Sequence, residues 1–140
     1  MLVSETRSAS PSGKYPPRQV AVRLRGAVVD LSLTERTVDQ HVIVEVHGEA
    51  DVHTAPELRD RLIGVLDSGH PSVVVDLSWL SFIDSTGLGA LVAARNHANA
   101  AGASLRLVCK SERLLKVFRI TGLHEVFEIH PTLAQATQPV

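Results

Sequence analysis

The chain has 140 residues and a mass of 15.1 kDa, room for one domain of ordinary size rather than two. Apolar residues make up 44% but aromatics only 4%, so a core must be packed from Val, Leu, Ile and Ala. With 21% charged residues and a net charge of −1, no global field steers the chain toward nucleic acid or a membrane surface. One cysteine, Cys109, excludes an internal disulfide framework and a Cys-based metal cluster and fits a reducing compartment. No window reaches the roughly 18 to 20 apolar residues of a membrane span; Leu88–Ala94 is stopped by Arg95. The first ten residues lack the apolar stretch of a secretory signal, and the expectation is a soluble, cytoplasmic protein without membrane insertion.

Charge is unevenly placed. Residues 1–26 carry Arg7, Lys14, Arg18, Arg23 and Arg25 against Glu5, a net of +4, whereas residues 27–140 hold nine basic and fourteen acidic groups, a net of −5. The first stretch is rich in Ser, Pro and Gly and shows no apolar periodicity, so it reads as a flexible basic tail, either a solvated extension or an arm for an acidic partner or RNA. Residues 27–140 form the folded domain.

From Val29 the pattern sharpens. Leu31, Leu33 and Glu35 alternate with Ser32, Thr34 and Arg36 as a first strand; a turn at Asp39-Gln40 leads into His41–Val46, a second, antiparallel strand. Gly48-Glu49-Ala50-Asp51 reads as a loop. Thr54 is placed as an N-cap, with Pro56 and Glu57 in the first turn. Leu58, Leu62, Val65 and Leu66 then recur at helical spacing until Gly69 and Pro71. Val73–Leu77 is a β-branched run expected of a central strand. A helix is predicted from Thr86 to about Ala100 with Leu88, Leu91 and Val92 on one face, and Gly102 as its stop. Leu105–Cys109 follows as a strand. Ser111 caps a helix bearing Leu114, Leu115, Val117 and Phe118 that ends at Gly122. Val126–Ile129 is a last short strand, and Pro131 opens a C-terminal turn or helix. The order ββαβαβαβα implies an α/β fold: a small mixed sheet of four to five strands, with crossovers that place helices mainly on one face. No solenoid repeat is present.

The chemistry concentrates in Asp76–Gly89, DLSWLSFIDSTGLG. A buried strand is expected to run out through Trp79, Leu80, Phe82 and Ile83, and Asp84-Ser85-Thr86-Gly87 stands where the next helix begins. Asp84 or Ser85 would cap it, since the first backbone N–H groups need an acceptor. Gly87 and Gly89 let the first turn approach another surface. Asp-Ser-Thr is explained by capping alone, or by a hydroxyl poised to take a phosphate stabilised by the positive end of the helix. The Gly48–Asp51 loop should lie at the same end of the sheet and bring Glu49 and Asp51 beside that hydroxyl.

Three other signals lead nowhere. Gly87-Leu88-Gly89-Ala90-Leu91-Val92 departs from a dinucleotide fingerprint at Val92. No G-x-S-x-G surrounds Ser85 and no histidine is placed by sequence to activate it, against a serine hydrolase. His124 and His130 are six apart rather than four, which does not make a zinc helix. No cofactor and no metal is called for. Cys109, at the end of an apolar strand, reads as a buried thiol or, less simply, a redox sensor.

Two segments resemble the signatures of the STAS-domain anti-sigma factor antagonists of bacteria: Gly48-Glu49-Ala50-Asp51 is similar to their G-E-x-D segment, and Val73 to Gly87 (VVVDLSWLSFIDSTG) to their long D-S-[ST]-G segment. The resemblance spans about Asp30 to Leu133. It implies a STAS fold and a non-catalytic partner switch in transcription control of stress response or sporulation. The unphosphorylated domain would bind an anti-sigma factor that is also a serine kinase, releasing a sigma factor. Phosphorylation would break the complex, and a phosphatase would restore it. By position the phosphate acceptor is Ser85, with Thr86 the less favoured hydroxyl. Asp84 orients the turn, and Glu49, Asp51, Gly87 and Leu88 complete the partner-binding surface of a monomer or weak dimer. A second implication is a STAS accessory subunit of a lipid-transport or stress-sensing complex, without kinase control.

Overall fold

The computed structural model describes residues 3–7, 18–23 and 31–138, the first two segments by their backbone alone. Its centre is a sheet whose strands lie side by side in chain order. β1 (Val3–Arg7), β2 (Arg18–Arg23), β3 (Leu31–Val38) and β4 (His41–Ala50) pair antiparallel in succession, and β4, β5 (Ser72–Ile83), β6 (Ser104–Val108) and β7 (Glu128–His130) pair in parallel. The mixed sheet read from the sequence is β3–β7. Two strands come in addition from the stretch 1–26 expected to be a tail, whose residues 1–2, 8–17 and 24–26 lie outside the described residues. The short run Arg18–Ala21 that pairs with β3 is easily lost among the prolines and arginines around it.

The helices follow from apolar spacing. α1 (Ala55–Asp67), α2 (Ser85–Ala100) and α3 (Glu112–Ile120) are the three parallel crossovers. They cover one face through Leu58, Leu62, Leu91, Ala94, Leu114 and Phe118, packed on Val42, Val44, Val46, Val73, Val75, Leu77 and Leu107. Phe118 and Phe127 meet edge to face, centroids 5.9 Å apart. The opposite face holds a smaller cluster of Ile43, Val74 and Val108, covered by Ala136 and Leu133 of the short α4 (Leu133–Ala136). Helices thus lie mainly on one side. No helix among the described residues is long and apolar enough to cross a membrane.

Boundaries differ in places. The last strand is Glu128–His130 rather than Val126–Ile129, because a 3-10 turn at Leu123–Glu125 carries the chain past Val126 and turns Phe127 into the core. Ser111 caps α3 as expected, accepting from the Leu114 amide at 3.3 Å. Cys109 is buried, and burial raises its pKa, so the thiol stays protonated.

Among the described side chains the main apolar cluster runs from Leu31 to Phe127. Deleting residues 1–26, read from the sequence as a tail, is expected to leave the melting temperature nearly unchanged. A fall of more than about 10 °C, roughly 3 kcal/mol for a chain of this size, would make β1 and β2 integral to the domain.

Candidate functional site

The site is the place where β5 gives way to α2. Asp84 is the N-cap with extended backbone (φ −112°, ψ −170°), and its Oδ1 accepts from the amides of Thr86 at 2.9 Å and Gly87 at 3.0 Å. The Thr86 hydroxyl donates to the same oxygen. These bonds, the Thr86 hydroxyl first and the Gly87 amide next, hold the Asp84 carboxyl below its ordinary pKa. Capping thus falls to Asp84, and Ser85 is the first residue of the helix. Ser85 is exposed, and its hydroxyl has no hydrogen-bond partner among the described residues. The two adjacent hydroxyls are therefore unlike: Thr86 is engaged, Ser85 is open.

Beneath this turn the two signature segments touch. The Asp84 amide donates to the Ala50 carbonyl at 3.1 Å, and a Cβ on Gly87 would stand 2.5 Å from that same oxygen and 2.8 Å from Ile83 Cγ1. Only a glycine lets α2 start this close to the end of β4.

The expected loop at Gly48–Asp51 is instead the last part of β4: Gly48, Glu49 and Ala50 pair with Leu80, Phe82 and Ile83 of β5. The ladder absorbs two register shifts, between Glu45 and His47 and between Gly48 and Glu49. At the second, Gly48 takes φ 104°, a value that side-chain-bearing residues rarely adopt. The chain bends only at Asp51. There Asp51 Oδ1 accepts from the His53 amide at 2.9 Å and the Thr54 amide at 3.1 Å. Thr54 occupies the N-cap position of α1 but does not cap with its side chain. Its buried hydroxyl instead donates to the Glu49 carbonyl at 2.8 Å and accepts from the Asp51 amide at 2.9 Å. Asp51 thus shapes the turn, while Glu49 is exposed.

Two further expectations are corrected. Leu88 is 6% exposed, because three residues past Ser85 the helix has turned it inward beside Leu91. The strand beyond Leu77 is only half buried: Leu80 and Ile83 face the core, but Trp79 and Phe82 are 52% and 46% exposed. Trp79 stacks on His47, centroids 5.1 Å apart, which covers part of its ring.

Between the first turns of α1 and α2 runs an open groove of about 500 Å³, with Ser85 and Thr86 on one wall and Val52 and Arg59 on the other. Its floor is made of small side chains, among them Ala55, Ala90 and Ala93, and Val52 is 60% exposed at its edge. The sequence reading missed both Val52 and Arg59. An apolar residue in a polar turn is a weak hint for Val52. Nothing in the local pattern sets Arg59 apart from Arg61 until the helices are packed. No group of three or more His, Cys, Asp or Glu placed to hold a metal ion occurs among the described residues.

The molecule is an α/β domain with a capped helix start, an exposed hydroxyl and a shallow groove. Residues 32–136 match the family model described as the STAS domain, and the chain belongs to that family. An anti-sigma-B factor antagonist of Bacillus subtilis strain 168 is 34% identical over 101 residues, covering 72% of this chain and 92% of the relative. One from Staphylococcus epidermidis is 35% identical over 102 residues, covering 73% and 94%. The crystal structure of an anti-sigma factor antagonist from Mycobacterium paratuberculosis superimposes with a TM-score of 0.71 at 29% identity, over 76% of this chain and 91% of that one.

Two predictions concern this junction. Gly87→Ala should destabilise by about 1 to 2 kcal/mol, since overpacking at the Ala50 carbonyl outweighs the gain in helix propensity. Gly89→Ala, where a Cβ meets nothing within 4 Å, should instead stabilise by up to about 1 kcal/mol; denaturant titration of both variants distinguishes packing from propensity. Asp84→Ala should cost about 1 kcal/mol at neutral pH, as lost N-caps do. Because the folded pKa of Asp84 is depressed, its share of stability is present above the unfolded value and disappears as pH falls through the folded one. The gap between Asp84→Ala and the parent should therefore narrow below about pH 4, near the unfolded carboxyl pKa.

Proposed function

We propose that this chain is an anti-sigma factor antagonist. Unmodified, it binds an anti-sigma factor that is also a serine kinase, through the surface around the start of α2, and so frees a sigma factor. The kinase transfers the γ-phosphoryl group of ATP to the Ser85 oxygen, which loses its proton while ADP departs. A phosphatase hydrolyses the ester with water and releases inorganic phosphate. The domain itself catalyses nothing in this cycle.

The observation that carries the reading is the asymmetry of the two hydroxyls: Ser85 exposed and unpartnered on the rim of the groove, Thr86 held by Asp84. The curated relatives, named anti-sigma-B factor antagonists over nearly their full length, supply the partner class. Glu49, Ser85, Thr86, Val52 and Arg59 form the contact surface; Asp51, Asp84, Gly87 and Leu88 seat it. Turning binding off follows from charge, because a dianion of −1.5 to −2 set in a desolvated interface costs several kcal/mol.

Incubation with the candidate kinase and ATP, followed by mass mapping, should place the phosphate on Ser85. Ser85→Ala should retain binding and block modification, whereas Ser85→Glu should weaken binding at least about tenfold, or 1.4 kcal/mol. Equal affinity of parent, alanine and glutamate forms for the anti-sigma factor would sink the mechanism.

A further inference from the structure

A phosphate on Ser85 would meet a helix start already in use. The amides of Thr86 and Gly87, donors that an anion ordinarily finds at such a terminus, both point to Asp84 Oδ1, at 2.9 and 3.0 Å. The Leu88 amide donates to the Asp84 carbonyl at 2.9 Å. The Asp84 carboxylate also places a like charge one residue away. Apart from the Ser85 amide, the helix start is thus engaged, and the like charge of Asp84 directs the dianion outward, across the groove toward α1.

Arg59 is the one charged side chain among the described residues that line that groove. Among the described residues its guanidinium is held only by Asp60, next to it in the chain, at 3.3 and 3.4 Å, with the two side chains 51% and 66% exposed. An exposed pair of that kind is worth little and yields readily to a stronger anion. The surface between Arg59 and Ser85 is kept low by Ala55, Gly89 and Ala90, so nothing bulky separates them. A guanidinium suits a phosphate because its planar fork donates two parallel hydrogen bonds.

We propose that Arg59 is the counter-ion of phospho-Ser85, so that the modified side chain lies across the groove and closes it. The inference rests on Ser85 being the acceptor. It makes phosphorylation more than added repulsion: the cation that a partner's acidic group could reach in the unmodified protein is taken by the protein's own phosphate.

The test uses the full chain with phosphoserine incorporated at position 85 during translation, which needs neither kinase nor partner. The second ionisation of the phosphate is followed by phosphorus NMR against pH. A nearby cation favours the dianion and lowers its pKa, so Arg59→Ala should raise the midpoint, by about 0.3 to 0.5 unit for a partly screened pair. Arg59→Lys should recover part of that shift, and Asp60→Asn, which removes the competing carboxylate, should move the midpoint the other way. Midpoints agreeing within about 0.1 unit between parent and Arg59→Ala would leave the phosphate without this partner and overturn the proposal. A failure of the kinase assay would not touch this titration, and an unmoved midpoint would leave the weakening by Ser85→Glu intact, so the two readings fail separately.

Discussion

The contact between the end of β4 and the first turn of α2 sets the geometry on which the site depends. The Ala50 carbonyl takes the Asp84 amide, and the same oxygen lies where a Cβ on residue 87 would have to go. A backbone hydrogen bond and a steric exclusion thus act on one atom from two directions. Together they leave α2 a single starting position relative to the sheet. The hydroxyl of Ser85 inherits that position, because residue 85 lies between the hydrogen-bonded amide and the glycine. A side chain on a flexible loop would have to be ordered at each encounter, at a cost of about 0.5 to 1.5 kcal/mol per immobilised group; here the backbone is ordered in advance by the fold.

Asp84 shows how one residue can cap a helix and leave its neighbour's hydroxyl exposed. Its carboxylate collects the Thr86 and Gly87 amides and the Thr86 hydroxyl. Donors that would otherwise be exposed at the helix start are satisfied before any ligand arrives. Thr86 is thereby tied into the cap, which is why two adjacent hydroxyls of similar chemistry differ in availability. Asp51 does the equivalent work at the start of α1, where it accepts from His53 and Thr54 while the buried Thr54 hydroxyl bridges to Glu49. Two acidic residues that look alike as surface charges are therefore local braces, and of the acids expected at the surface Glu49 alone is exposed.

Most of the architecture was legible because apolar spacing carries it. The hairpin of β3 and β4, the crossovers α1 to α3 and the caps at Asp84 and Ser111 each have a local signature of period, turn residue or hydroxyl. What was not legible depends on pairing across the sheet. Gly48-Glu49-Ala50 has the composition of a loop, yet it is held as strand by β5, whose length carries the ladder past the point where β6 stops. The exposure of Trp79 and Phe82 follows from the same overhang: with β6 paired only up to Asp76, the end of β5 has a neighbour on one side alone. Likewise, Leu88 belongs to the core by helix phase, a relation masked by its place inside the signature segment. Val52 and Arg59 acquire meaning only from the packing of α1 against α2, which no pattern within α1 encodes.

Under the proposed cycle, the placement of Ser85 would let a single modification govern binding without unfolding the domain. Two unit charges about 4 Å apart interact by roughly 1 kcal/mol in bulk water but by about 4 kcal/mol at an effective dielectric constant of 20. On the free domain a phosphate on Ser85 would stay exposed to water at the first turn of α2, which would keep its repulsion with Asp84 near the lower figure. No core residue need move to admit it, since the hydroxyl is exposed. In the proposed complex the partner would displace that water, and the same charge would act closer to the higher figure, against Asp84 and against whatever desolvated groups the partner presents. The difference between these two settings, rather than any change of fold, would be the free energy available to such a switch, and at a few kcal/mol it spans about two orders of magnitude in affinity. A buried hydroxyl would have put the penalty on folding instead, and a hydroxyl remote from the interface would have removed it from both states.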